Sequence, residues 1–154
     1  MGTRSVIAVA NATGQFAAIY CHWDGCPSHH GPILRDHYKD IEKVNQLFAL
    51  GDLSVLGKEI GTKHIFEDDH GDGCVSYKRD RNEKGTEAVE CADFEALCKH
   101  TQDCGGEWLY VFKGGHWFCA KGGFSMFGMP ATKAPEFLEH IDEVLIKLAK
   151  EEDA

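Results

Sequence analysis

The sequence lacks long hydrophobic runs: each apolar stretch spans only a few residues. A membrane-spanning helix needs about 20 consecutive apolar residues, so no transmembrane segment is expected. The first residues lead directly into a strand-like stretch, and we therefore expect no signal peptide. The chain also lacks the P-loop, the dinucleotide-binding glycine fingerprint, and the G-x-S-x-G and H-E-x-x-H motifs. No familiar enzyme class is indicated.

Basic residues are scarce relative to acidic ones. The chain has 16 Lys and Arg against 25 Asp and Glu, which gives a formal net charge of −9 at pH 7. Sequence-independent nucleic-acid binding relies on basic side chains, so it is not expected here. The charge suits a cationic partner, or mimicry of nucleic acid in another protein's groove. The simplest interpretation is a solvated surface that keeps the protein soluble.

Hydrophobic periodicity divides the chain into short elements. Strands are predicted at 5–10, 15–21, 75–78, 107–112 and 116–120, and helices at 33–48, from Asp52 to 60, from Asp93, and at 135–150. Asp40 is a favourable N-cap within 33–48, so that stretch forms either one helix or two abutting helices. Residues 61–74 are expected to form a polar loop, and residues 79–85 a charged turn.

This order of elements predicts one α+β domain over residues 1–154, with an antiparallel sheet of two hairpins and helices packed on one face. The clearest hairpin turns at Lys113-Gly114-Gly115, because paired glycines allow the positive φ angles of tight turns. The helix at 135–150 carries an apolar stripe, which we expect to lie across the sheet.

The densest chemistry lies in residues 20–32, between a predicted strand and a predicted helix, where binding and catalytic groups are common. Zinc is one interpretation, and the candidate ligands are Cys21, Cys26, His29, His30, His70, Cys74, Cys98, His100 and Cys104. Structural zinc sites commonly use two closely spaced pairs, whereas this chain offers one loose C-x4-C pair. Seven cysteines without a secretory signal indicate free thiols in a reducing compartment, and we predict no metal.

A small-molecule site is a second interpretation of the same segment. The candidate pocket consists of His22, Trp23, Asp24, Arg79 and Arg81. Imidazole exchanges protons near neutral pH, a carboxylate can orient it, and an indole can stack on a base or sugar. Two arginines alternating on an extended stretch could both grip a phosphate. An exposed charged turn is the simpler explanation of those arginines.

Two other segments stand out by composition. An acidic cluster could bind a hard cation and consists of Glu67, Asp68, Asp69, His70 and Asp72. The spacing of a calcium loop with its closing Glu is absent there. Residues 124–130 are apolar yet broken by Gly and Pro. We expect this loop to tuck against the domain rather than to form an exposed patch for a partner.

A further set of segments is distinctive in its residue pattern rather than in its chemistry. These segments are 20–25, with its Y-x-H-W-D-G pattern, 28–31, 37–38, Val44, 50–54 and 77–88. Together they resemble a family of small accessory proteins of tailed phages and prophages, over roughly residues 3–90. That family has tyrosine or another residue where this chain has Cys26, so a zinc site using Cys26 is not implied. The resemblance implies a phage product acting in the bacterial host cytoplasm, and it implies no activity.

Two functions remain open in that context. The first is a non-enzymatic, cofactor-free binder that perturbs a bacterial host protein with a basic surface, in host takeover or anti-defence. The alternative is a small-molecule site, either a nucleotide-binding sponge or a metal-assisted phosphoesterase or nuclease. We expect the binder, because the chain is small, acidic and without catalytic signatures.

Overall fold

A computed structural model describes residues 3–67, 71–121 and 138–153 of the chain. Three parts of the sequence interpretation lie outside the described residues. They are Asp68, Asp69 and His70 of the acidic cluster, the apolar loop at 124–130, and the expected helix start near Pro135.

The described residues form short strands and helices. The strands are β1 (Ser5–Ala10), β2 (Phe16–Cys21), β3 (Leu53–Val55), β4 (Val75–Ser76), β5 (Val89–Cys91), β6 (Trp108–Lys113), β7 (His116–Lys121) and β8 (Glu139–His140). The helices are α1 (Pro27–His37), α2 (Ile41–Ala49), α3 (Tyr77–Arg81), α4 (Phe94–Asp103) and α5 (Ile141–Asp153). Within the described ranges, no helix has both the length and the apolar character required to span a bilayer.

All these strands belong to one sheet, ordered β4-β3-β2-β1-β6-β7-β8, with β5 also pairing with β2. The α+β class is confirmed, and the two expected hairpins, β1–β2 and β6–β7, are present and antiparallel. The hairpins join through β1 and β6, which run parallel, so the sheet is mixed rather than purely antiparallel. The hairpins are far apart in sequence, and no short turn dictates their relative direction.

Helices cover both faces of the sheet, whereas the sequence analysis places them on one. The cause lies in β1, where the consecutive residues Val6, Ile7 and Ala8 are all fully buried. Successive strand residues point to opposite faces, so a strand that is apolar throughout needs a layer on each side. Ile7 packs in the core formed with α1, α2 and α5, and Val6 packs with Leu97 of α4 on the other face.

Three local predictions are confirmed. Asp40 separates α1 from α2, and its side chain accepts a hydrogen bond from the Glu42 N–H at 3.1 Å. Asp93 caps α4 in the same way, accepting from the Ala96 N–H at 2.8 Å. The glycines at 114–115 turn the second hairpin with φ angles of 60° and 83°.

Residues 53–55 form β3 rather than part of a helix starting at Asp52. The Trp23 N–H donates to the Ser54 carbonyl at 3.1 Å, which continues the pairing of β2 with this segment. The Asp52 carboxylate accepts a hydrogen bond from the Tyr20 N–H at 2.9 Å, so it is used between strands. Pairing with the neighbouring strand therefore overrides the local helical spacing.

The expected charged turn begins as a helix. The Ser76 hydroxyl accepts a hydrogen bond from the Arg79 N–H at 3.1 Å and caps α3. Asn82 ends the helix in the left-handed conformation, with a φ of 54°. Arg79 and Arg81 thus lie on a helical turn rather than alternating along an extended stretch.

The last helix begins at Ile141, and residues 139–140 form β8 rather than part of the helix expected at 135–150. Ile141 is buried, and α5 contacts both α1 and β7, so the described part lies against the domain as expected. Gly31 of α1 makes this approach close, since a Cβ there would lie 3.2 Å from the Ile141 and Leu145 side chains.

Asp80 organises the segment between β4 and α3. Its side chain is fully buried, and its two oxygens accept hydrogen bonds from the Ser76 N–H at 2.9 Å and the His64 N–H at 3.1 Å. The Arg79 guanidinium adds an ion pair at 2.9 Å. Burial favours the neutral carboxyl, but these hydrogen bonds together hold the pKa of Asp80 below its ordinary value.

Replacing Asp80 with Asn should lower the free energy of unfolding by about 3 kcal/mol, because it leaves a buried guanidinium without its counter-charge. Since the pKa of Asp80 is lower in the folded protein, its contribution is complete above about pH 5 and disappears as the pH falls. The free energy of unfolding, measured with denaturant from about pH 5 downwards, should therefore fall less steeply with decreasing pH for the variant than for the wild type. Glu83→Gln is the control: it removes an exposed pair with Arg81 and should cost under about 0.5 kcal/mol. Equal effects of the two substitutions would contradict the assignment.

Candidate functional site

The loop at 22–26 lies at one edge of the sheet, where β2 ends and α1 begins. β1 and β6 both start at this edge, because Ser5 is paired with Cys21 on one side and with Trp108 on the other. A cleft of about 470 Å³ opens beside the loop, bordered by Cys26, Trp108 and the end of α4. The most chemically diverse segment of the sequence is therefore placed beside a concave surface.

Gly25 anchors this loop to the sheet. Its N–H donates to the Thr3 carbonyl at 2.8 Å, and its carbonyl accepts a hydrogen bond from the buried Tyr110 hydroxyl at 2.6 Å. A Cβ at this position would lie 2.7 Å from the Thr3 oxygen and from the Ser5 Cβ. The loop is thus held by contacts for which only glycine leaves room.

His22, Trp23 and Asp24 share the loop but have different surroundings. The His22 Nδ1 lies 2.7 Å from the Tyr20 hydroxyl, and the Trp23 indole stands perpendicular to the imidazole at 4.8 Å between ring centroids. Trp23 is 41% exposed. Asp24 is exposed and has a φ of 59°, a conformation that non-glycine residues seldom adopt.

The two arginines of the predicted pocket are used differently. The Arg79 side chain is only 16% exposed, and its guanidinium donates to the carbonyls of Ile60 and Cys74 at 2.8 Å, as well as pairing with Asp80. It is therefore not available to grip a phosphate beside His22. Arg81 is exposed, and its guanidinium lies over the rings of Phe66 and Tyr77.

Trp23 and Arg81 are connected through Tyr77. The Tyr77 phenol contacts the Ser54 side chain, and the Ser54 carbonyl accepts the Trp23 N–H at 3.1 Å. The Tyr77 ring stacks on Phe66, with centroids 5.5 Å apart and planes inclined by 28°. We call Trp23, Phe66, Tyr77 and Arg81 the Trp23–Arg81 surface. It unites part of the predicted pocket with two aromatic residues outside it.

His29 and His30 lie in the first turn of α1 and pack against each other. His30 is fully buried, its Nδ1 lies 3.1 Å from the His29 Nδ1, and its ring contacts Tyr110 at 5.4 Å between centroids. Burial lowers the pKa of His30 to about 3, with a smaller contribution from His29. His30 therefore stays neutral near physiological pH and acts as a core residue.

The zinc candidates are distributed over separate parts of the fold. Cys21 is buried on the face covered by α1, whereas Cys98 is buried on the face covered by α4. Burial raises the pKa of Cys21 to about 12, which disfavours the thiolate that metal ligands require. In the described ranges no three His, Cys, Asp or Glu side chains are placed to share a metal ion. Of the acidic cluster, Glu67 and Asp72 are described, and both are exposed.

Several groups meet on the α4-covered face at the same edge. Two of them, His100 and Cys104, are zinc candidates of the sequence analysis, whereas sequence reasoning missed Arg4. The Sγ of Cys104, the C-cap residue of α4, lies 3.6 Å from the His100 Nε2. Burial, with a smaller contribution from the nearby Asp52 carboxylate, raises the pKa of Cys104 to about 11. Arg4 lies over Gly105, just beyond α4. Helical spacing relates His100 to Cys104, but only the strand register brings Arg4 and Asp52 to the same place.

Replacing Gly25 with Ala should lower the free energy of unfolding by about 1–3 kcal/mol, because the added methyl group overlaps the backbone of residue 3. Chemical denaturation measures the change. Ser28→Ala, an exposed substitution next to the loop, should alter stability by less than about 0.5 kcal/mol. A Gly25→Ala protein as stable as the wild type would show that the loop is not held as described.

We also predict that the purified protein contains free thiols and no stoichiometric zinc. Metal analysis after purification without chelators should give far less than one zinc per chain, and a chelator should leave the melting temperature unchanged. About one zinc per chain together with melting on chelation would overturn this prediction, because structural zinc contributes folding free energy directly.

Comparisons with known proteins gave no match: no family model fits the sequence, and no curated protein or solved structure is significantly similar.

Proposed function

We propose that the protein is a phage-type accessory protein that binds and perturbs a bacterial host protein with a basic surface, without catalysing a reaction. The observation that carries the proposal is the Trp23–Arg81 surface. It presents an exposed indole, two further aromatic rings and a stacked guanidinium on anchored backbone. Trp, Tyr and Arg are the residues that most often dominate binding energy in protein interfaces.

Charge supports the choice of partner. The formal net charge of −9 favours association with a positively charged protein, mainly by accelerating encounter. Exposed Glu83 and Glu87 follow Arg81 closely in the chain, so the aromatic surface has acidic neighbours. The seven cysteines are all unpaired, which agrees with residence in the reducing cytoplasm of a bacterial host.

The use of the reactive side chains also favours a binder over a phosphoesterase. Arg79 is occupied inside the protein, and His30 is buried and neutral. The alternative, a small-molecule site such as a nucleotide-binding sponge, draws support from the 2.7 Å approach of the Tyr20 hydroxyl to His22. This alternative would be indicated if His22→Gln, in a folded protein that still has Trp23, abolished the biological activity.

Truncating Trp23 tests the proposal. Immobilised wild type, Trp23→Ala and Ile146→Ala proteins would be exposed to bacterial lysate, and bound proteins would be quantified by mass spectrometry. Ile146 is the matched control, because it is 55% exposed on α5 and outside the proposed surface. We expect a basic host protein retained by the wild type and the control and lost from Trp23→Ala.

The same partner, once purified, gives a quantitative test. Its Kd for Trp23→Ala should rise about tenfold or more, as expected when a central aromatic contact is truncated. Its association rate should fall as salt is added. Equal affinity for wild type and Trp23→Ala, or association that is indifferent to salt, would contradict the proposal.

A further inference from the structure

Arg4, Tyr20 and His22 lie together on the sheet face covered by α4. Val6 is paired with Tyr20, and Ser5 with Cys21, in the β1–β2 hairpin. Extending this register by one residue places Arg4 beside His22. Because strand side chains alternate between faces, Arg4, Tyr20 and His22 all project to the face that carries Val6. We call these three residues the Arg4 cluster.

Arg4 is positioned by its backbone beside Glu107, and its side chain is exposed. Its N–H donates to the Glu107 carboxylate at 3.3 Å, and its carbonyl accepts the Glu107 N–H at 2.8 Å. One guanidinium nitrogen lies 3.0 Å from the point that a Cβ of Gly105 would occupy. Among the described residues, no carboxylate forms an ion pair with this guanidinium. An exposed guanidinium can bind an oxyanion by donating two parallel hydrogen bonds to it.

The contact with Tyr20 orients the second donor. Burial raises the pKa of Tyr20, with the Arg4 charge acting in the opposite direction, so the phenol keeps its proton near neutral pH. The Tyr20 phenol lies 2.7 Å from the His22 Nδ1 and can donate to that nitrogen in the tautomer that leaves Nδ1 unprotonated. In the neutral ring the remaining proton is then on Nε2, which becomes a hydrogen-bond donor. Tyr20 is thus a positioning residue that selects the tautomer of His22.

The surroundings limit which anion fits. Two carboxylates lie beside the cluster: Asp52, just before β3, accepts from the Tyr20 N–H, and Glu107 accepts from the Arg4 N–H. Burial raises the pKa of Asp52. Trp23 packs its indole against His22 and leaves 41% of its surface exposed. An oxyanion attached to a flat organic group would use both the donors and this indole.

We propose that the Arg4 cluster binds a phosphate monoester, with the phosphate held by Arg4 and His22 and the organic group against Trp23. This goes beyond the partner-binding function proposed above, and the two are tested separately. A nucleoside monophosphate is the chemical class that fits best, because its base offers a planar ring and its phosphate carries two charges.

NMR of histidine-labelled protein tests the site with three probes: inorganic phosphate, adenosine monophosphate and adenosine, at constant pH and ionic strength. Both phosphate-bearing probes should shift the His22 signals saturably, and the monophosphate should bind more tightly. The signals of His116, at the opposite end of the β6–β7 hairpin from Arg4, should not move. Failure of phosphate to shift His22, or equal shifts at His116, would overturn the proposal.

Substitutions separate the roles of the residues. Arg4→Gln should weaken binding of the monophosphate about tenfold, because a charge-assisted pair of hydrogen bonds is lost. Lys39→Gln removes the same charge from an exposed position elsewhere and should leave the affinity unchanged. An equal loss of affinity in both variants would show that only the net charge matters and would contradict the assignment of Arg4 to the site.

Tyr20→Phe tests the positioning role with a spectroscopic readout. It removes one hydroxyl and should shift the neutral tautomer of His22 away from the form protonated at Nε2, as read from the ring nitrogen signals. The affinity for inorganic phosphate should fall severalfold. Trp23→Ala should instead abolish the preference for the monophosphate over inorganic phosphate. An unchanged tautomer in Tyr20→Phe, or an unchanged preference in Trp23→Ala, would overturn the corresponding assignment.

Discussion

The parallel pairing of β1 with β6 is the constraint on which the rest of the structure depends. An isolated hairpin is marginally stable in water, and each of the two long hairpins becomes part of a larger sheet through this pairing. It also puts β1 in the centre, where both of its faces are buried. The helices then divide between the faces, with α4 on one and α1, α2 and α5 on the other.

The same pairing collects the functional groups at one edge of the sheet. The starts of β1 and β6, the end of β2 and the loop before α1 all meet there. Burial then decides what each side chain can do. His30 and Cys21 are enclosed and serve the core, whereas Trp23 and Arg4 reach the surface. A segment that looks uniformly reactive in the sequence is divided by the fold into structural and exposed parts.

Features set by neighbours in sequence could be predicted, and those set by distant partners could not. Asp40 and Asp93 cap helices through contacts two or three residues away, and the glycines at 114–115 turn a hairpin locally. β3 has three residues, too few to show an alternating pattern, and it exists because β2 lies beside it.

The candidate site follows the same division. The sequence indicated the segment around His22 and Trp23 because its composition is unusual. It also suggested Arg79 as a phosphate ligand. The sequence could not show that this side chain is occupied, because the carbonyls of Ile60 and Cys74 that it contacts come from chain segments outside α3. Arg4 escaped notice because a lone arginine before a strand carries no pattern. Its place beside Tyr20 and His22 depends on the register of the hairpin.

The hydrogen bond from the Tyr110 hydroxyl to the Gly25 carbonyl has a consequence for kinetics. Tyr110 is fully buried in the sheet, so the loop that carries Trp23 cannot change shape without breaking a buried contact. The loop is thus formed before any encounter, so a ligand that bound there would cost little conformational entropy. Complexes made through this loop would form without a slow rearrangement, and ligands of different affinity would differ chiefly in their residence times.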